Sequence, residues 1–253
     1  MKNIYDLYEG IMSRPNRSEI GQDLARARTI EYFDNLTDDK VIKINDKGQV
    51  LISHLKLRNS DFDGFPEWLE FDVNQRLFRF GLFLYNCKLK TLKKIPHIKR
   101  LVLTDCNNFV GFDKEWNNGG SIDDIIITRC NKFEDVKTIP YADTLELNTL
   151  PKLKSLKGLN TCTDALSIVD TAVESLDGLE NVGPEKLYLM YNDYLTNIEM
   201  IPTTVSRLII DNSRSAKMKI TGKTIVDQCA GLLLDRLSLT IDNRKVSTLK
   251  YLK

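Results

Sequence analysis

The sequence predicts a repeat solenoid: a parallel β-ladder joined by turns and short helices, with α+β caps at its ends. Three observations carry this. An apolar-x-apolar step recurs along the chain, with Cys or a small or polar residue three positions later. Its starts at Leu82, Leu101, Ile125, Leu145, Leu166, Leu187 and Leu208 lie 19, 24, 20, 21, 21 and 21 residues apart. Later apolar positions keep register with the starts, which places them in one stacked core.

Each step, such as Leu101-x-Leu103 before Cys106 or Ile125-x-Ile127 before Cys130, reads as a short strand whose alternate side chains point inward. A weaker unit, Leu55-x-Leu57, precedes them. Phe109, Phe133, Leu153 and Leu195 fall eight residues after their starts; Phe112, Val136, Leu156 and Ile198 fall at eleven; Ile139, Leu159 and Ile201 fall at fourteen. Ile95-Pro96, Ile139-Pro140 and Ile201-Pro202 interrupt pairing, because proline has no N–H to donate, and Gly158 and Gly178 occupy similar turn sites. The position five after each start holds Cys87, Cys106, Cys130, Leu150, Thr171, Asn192 and Ser213, where a small or polar side chain can satisfy backbone groups of the turning chain. One such coil cannot bury its own core, so neighbours must stack.

The N-terminal end reads as a helix over 18–36, with Ser18 as N-cap and Ile20, Leu24, Ala27 and Ile30 as its apolar face. Two short strands follow between Asp38 and Ile52, around the turn Asn45-Asp46-Lys47-Gly48. At the other end, Thr224 to Leu237 reads as a helix, and the alternation of Leu237, Leu239 and Ile241 as a final strand. The expected divisions are 1–9 as a cleavable leader, 10–50 as an N-terminal helix and hairpin cap, 51–215 as the solenoid and 216–253 as a C-terminal cap.

Composition excludes several classes. Of 253 residues, 42% are apolar and 28% charged, as in an ordinary globular protein. Lys plus Arg (36) nearly balances Asp plus Glu (35), so no overall field draws the chain to nucleic acid or membrane. No apolar run is long enough to span a bilayer. The first ten residues lack the apolar core of a secretory signal, which predicts folding in a reducing cytoplasm. Five cysteines without a CxxC pair argue against a disulfide framework and a zinc site. His54 and His97 lie far apart, and no G-x-S-x-G, H-E-x-x-H or phosphate-cradling loop occurs. No enzyme activity, catalytic residue, metal site or cofactor is therefore expected. Gly119-Gly120 reads as a loop insertion behind the 24-residue spacing.

What remains is a surface. Residues between the inward ones face out in two rows: Phe83, Val102, Ile126, Glu146, Ser167, Tyr188 and Ile209, then Tyr85, Thr104, Thr128, Asn148, Val169, Met190 and Asp211. Phe83, Tyr85, Val102, Ile126, Tyr188, Met190 and Ile209 are the expected partner-binding residues, since exposed aromatic and methionine side chains anchor protein interfaces. A protein partner is expected; nucleic acid and membrane are not.

These units resemble leucine-rich repeats in the abbreviated form L-x-L-x-x-N/C-x-L, over roughly residues 50–215. They lack the leading L-x-x and vary in length, so a solenoid is expected but a smooth horseshoe is not. A second resemblance lies in Met1-Lys2-Asn3-Ile4-Tyr5-Asp6-Leu7-Tyr8-Glu9, which is similar to the capsid-targeting leaders of internal head proteins in large tailed bacteriophages. Those leaders begin Met-Lys and end Leu/Ile-x-Glu, where a prohead protease cuts. Among all the glutamates that triplet occurs once, at Leu7-Tyr8-Glu9, which puts the cut before Gly10. The resemblance implies a phage virion protein bound to a capsid, core or host protein. On the other reading Ile4, Leu7, Tyr8 and Ile11 pack against the cap, the N-terminus stays uncleaved, and the protein is a cytoplasmic interaction module, phage or bacterial, acting on a host protein.

Overall fold

The computed structural model describes residues 17–36, 43–44, 50–51, 54–66, 80–93, 95, 98–117, 122–180, 182–211, 213, 220–221, 224–225, 238–242 and 244–246. Its main feature is a parallel β-solenoid. Apolar alternation builds β3 (His54–Arg58), β4 (Phe80–Tyr85), β6 (Ile98–Thr104), β8 (Ile122–Thr128), β9 (Ala142–Leu150), β10 (Ala165–Thr171), β11 (Lys186–Met190), β12 (Arg207–Asp211) and β13 (Ser238–Ile241). These join in that order as one sheet, each parallel to the next, and β14 (Arg244–Val246) adds antiparallel to β13. The remaining short strands are β1 (Lys43–Ile44) and β2 (Val50–Leu51), which pair antiparallel as the expected hairpin, and β5 (Thr91–Leu92) and β7 (Gly111–Phe112), which pair in parallel on the return side.

Register explains the stacking. Leu55, Leu82, Leu101, Ile125, Leu145, Leu166, Leu187, Leu208 and Leu239 form one inward row, each paired with the next. Leu57, Leu84, Leu103, Ile127, Leu147, Ile168, Leu189 and Ile210 form the second. All are essentially inaccessible. The weak unit at Leu55 is thus a full member of the ladder.

Behind the strands, Phe109 stacks flat on Phe133, with ring centres 5.6 Å apart, and meets Phe112 edge-on at 5.2 Å. The column eight after the start is buried in four units through a tight turn: the N–H groups of Phe109, Phe133, Leu153 and Leu195 donate to the carbonyls of Cys106, Cys130, Leu150 and Asn192. The units starting at Leu82 and Leu166 fill the same space one residue earlier. Leu89, Leu92 and Ile95, and Val173, Leu176 and Leu179, are buried at seven, ten and thirteen after the start. The Leu101 unit carries a 3-10 turn, Lys114–Asn117, where buried Trp116 donates its indole N–H to the Leu92 carbonyl at 2.8 Å; the expected insertion at Gly119-Gly120 lies outside the described residues.

In four units the side chain at position five bonds the preceding coil. The thiols of Cys87, Cys106 and Cys130 donate to the carbonyls of Leu57, Leu84 and Leu103 on the preceding coil, at 3.7, 3.6 and 4.0 Å. Asn192 does more: its amide donates to Ile168 O at 2.8 Å, and its oxygen accepts from the N–H and hydroxyl of Thr171 at 3.1 and 2.9 Å. The Cys106 thiol is pushed up to about 12 by hydrogen bonding to its Cys130 neighbour and by burial, and Cys87 is pushed up as well. Cys87 and Cys106 are thereby kept as neutral thiols that pack and donate. Cys87, Cys106, Cys130 and Cys162 are free and buried; Cys229 lies outside the described residues.

Helix α1 (Arg17–Leu36) includes Ser18, the expected N-cap. Its rotation also differs from the expected face. Ile30 is exposed, whereas Thr29 and Phe33 are buried. Aromatic packing explains this: Phe33 lies 6.2 Å from Phe65, which meets Phe62 edge-on at 5.0 Å, at the end of the ladder carrying β3. Burial, with Asp63 nearby, pushes the Tyr32 phenol up to about 12. The expected helix over Thr224 to Leu237 lies mostly outside the described residues; Thr224 and Ile225 are helical. The expected last strand is β13. No helix among the described residues is long and apolar enough to cross a membrane.

Candidate functional site

Because every coil keeps the same register, side chains between the inward positions form continuous rows on the opposite face. One row runs Lys56, Phe83, Val102, Ile126, Glu146, Ser167, Tyr188, Ile209 and Thr240. The next runs Arg58, Tyr85, Thr104, Thr128, Asn148, Val169, Met190 and Asp211. All seven residues singled out in the sequence thus lie on one face. Phe83, Tyr85, Ile126, Tyr188, Met190 and Ile209 are half-buried, and Val102 is buried at 9% exposure between its neighbours Phe83 and Ile126.

The apolar surface is divided. Phe83, Tyr85, Val102 and Ile126 gather on β4, β6 and β8, and Tyr188, Met190 and Ile209 on β11 and β12. Glu146, Asn148 and Ser167, on β9 and β10, lie between them, and buried Val169 of β10 adjoins Met190. From β8 to β11 is three strand spacings, roughly 14 Å. A third row, His54, Gly81, Arg100, Asp124, Thr144, Ala165, Lys186, Arg207 and Ser238, borders the face. Here Gly81 has a local purpose: a Cβ there would lie 3.1 Å from the Phe83 ring, so its absence lets the ring lie across β4.

Charges on and beside this face are mostly paired between coils. Lys99 meets Asp123 at 3.4 Å, Arg100 meets Asp124 at 3.9 Å and Lys186 meets Asp164 at 2.7 Å. Arg129 grips Asp105 through Nε and Nη2, at 2.7 and 2.9 Å, and holds that carboxyl below the usual range. All are surface pairs and contribute little to stability. At the β3 end the pattern changes: Arg58 lies over the Tyr85 ring at 4.6 Å, and Lys56 over Phe83 at 5.8 Å.

The far rim is a corner column missed in the sequence. Asn59, Asn86, Asp105, Arg129, Thr149, Asp170 and Tyr191, four after their starts, all have φ between 49° and 58°. This left-handed bend turns the chain off the sheet and favours Asn and Asp, whose enrichment there was the available signal. Tyr191 adds its hydroxyl to the face, donating to buried Asp211 at 3.0 Å. Past the corners of β9 and β10 lies an open hollow of about 330 Å³, with Lys154, Asp170, Glu174 and Tyr194 on its walls.

Among the described residues, no group of three or more His, Cys, Asp or Glu side chains could hold a metal ion. Residues Leu7, Glu9 and Gly10 lie outside the described residues. Comparison of the chain with protein-family models, with curated proteins and with solved structures finds no match.

Proposed function

We propose that this chain is a non-enzymatic protein-binding solenoid, leucine-rich-repeat-like in its L-x-L-x-x-N/C core, that engages its partner through the outward face of the ladder. The observation that carries this is the unbroken register that brings Phe83, Tyr85, Ile126, Tyr188, Met190 and Ile209 onto one side while leaving them half-accessible. Aromatic and methionine side chains gathered in two patches on one face are the kind of anchors an interface uses. The test is capture of the partner from the native source by Phe83→Asp and Tyr188→Asp. Each variant is expected to lose capture while keeping the wild-type circular dichroism spectrum, because neither side chain contributes to the inward rows. Undiminished capture by both puts the interface elsewhere.

The triplet Leu7-Tyr8-Glu9 favours a narrower version, in which the protein is carried inside a phage head and its partner is a capsid, core or host protein. On that version the chain recovered from purified virions begins at Gly10. Recovery only of chains that keep residues 1–9, with none in virions, leaves a cytoplasmic interaction module, phage or bacterial, acting on a host protein.

A further inference from the structure

The outward residues of β3 are His54, Lys56 and Arg58, and all three are exposed. Elsewhere on the outward side Arg100 meets Asp124 and Lys186 meets Asp164 on neighbouring coils. Among the described residues Lys56 and Arg58 meet no carboxylate. Their partners are instead the Phe83 and Tyr85 rings, at 5.8 and 4.6 Å. A guanidinium held over an aromatic ring still has N–H groups to offer a ligand. Those groups can grip a carboxylate with two parallel hydrogen bonds. The stacking also fixes the side chain in advance, so less rotamer freedom is lost on binding. Beside this corner lie Val102 and Ile126, the apolar end of the same row.

We propose that the β3–β4 end of the outward face binds an acidic protein segment, its carboxylates on Arg58 and Lys56 and a following apolar side chain beside Phe83 and Ile126; this rests on the outward face being the interface. A nucleic acid fits less well. Both rings already have cations over them, leaving little free ring face for bases to stack on.

The test uses the full chain and a fluorescent peptide of alternating Glu and Asp ending in Leu-Phe. Its controls are the same peptide with Gln and Asn for the acids, and a single-stranded oligouridylate. Fluorescence polarisation is expected to show the acidic peptide bound at low salt, more weakly as salt rises. The double variant Lys56→Glu/Arg58→Glu should bind about tenfold more weakly. Lys56→Gln/Arg58→Gln should fall in the same direction with an unchanged melting curve, and Lys157→Glu, on an exposed pair with Asp177 away from the face, should bind like wild type. Equal binding of the uncharged peptide, unchanged affinity in the Lys56/Arg58 variants, or tighter binding of the oligouridylate overturns the inference. If the acidic peptide fails to bind while Phe83→Asp and Tyr188→Asp still lose partner capture, the acidic-segment inference alone falls. If capture is unchanged as well, the face is not the interface and both fall.

Discussion

Asn192→Ala is expected to destabilise the solenoid by about 2–4 kcal/mol, the largest loss from any single polar side chain described here. Asn192 is fully buried and bridges two coils through Ile168 O and the N–H and hydroxyl of Thr171. Alanine removes one donor and one acceptor at once, leaving a carbonyl and an N–H of the preceding coil in a dry interior. Burying such groups unpaired is what makes the change severe. Asn192→Cys should recover part of the loss, because Cys106 and Cys130 occupy the same offset and donate to the matching carbonyls. Urea unfolding checks this, with the midpoint falling at unchanged slope. A loss below about 0.5 kcal/mol would mean the bridge contributes nothing net.

Gly178→Val should be at least as damaging, by about 3 kcal/mol or more. Two effects coincide there. The residue has φ of +105°, a region side chains rarely adopt, and a Cβ would lie 2.5 Å from the Leu156 carbonyl carbon and 2.6 Å from Lys157 Cα. Both are backbone atoms of the preceding coil, so the clash is relieved only by moving one coil off the other. Gly183→Ala is the control: its Cβ would meet Thr204 no closer than 3.8 Å. That substitution should shift stability by less than about 1 kcal/mol. Equal losses at Gly178 and Gly183 would show that coil spacing is not set by this contact.

Much of the ladder was legible because inward rows demand apolar side chains at a fixed offset, and nothing else in the chain produces that pattern. Leu101-x-Leu103 and Ile125-x-Ile127 define their strands without help. The offsets failed where the corner shortens. In the Leu82 and Leu166 units the stretch from Cys87 to Leu89, or from Thr171 to Val173, omits the turn residue that Cys106 to Phe109 includes, so the later columns slip by one. A fixed spacing cannot see a turn that is absent. The helix face failed for a different reason. Periodicity sees Ile20, Leu24, Ala27 and Ile30, but the aromatic group of Phe33, Phe62 and Phe65 decides the rotation.

The outward face was readable by subtraction, as the residues between inward ones, and its register is as expected. Its N-terminal corner was missed because the Leu55 unit reads weakly; applying the same offsets there gives Lys56 and Arg58 at once. That the rings of Phe83 and Tyr85 lie under those cations depends on side-chain placement, which spacing does not encode. Nor does spacing show that Val102 is closed off while Ile126 stays accessible. The gap between Leu208 and Leu239 is longer than any repeat, so β13 could be found only from its own alternation, without its partner.

Hydroxyl-radical footprinting of the protein with its captured partner tests the central claim most directly, since aromatic and methionine side chains are the ones such radicals mark. The account predicts protection of Phe83, Tyr85, Tyr188 and Met190 on the outward face, with Tyr141 and Tyr194, exposed outside the strands, still reactive. Protection of Tyr141 or Tyr194 with the four face residues unchanged would contradict it.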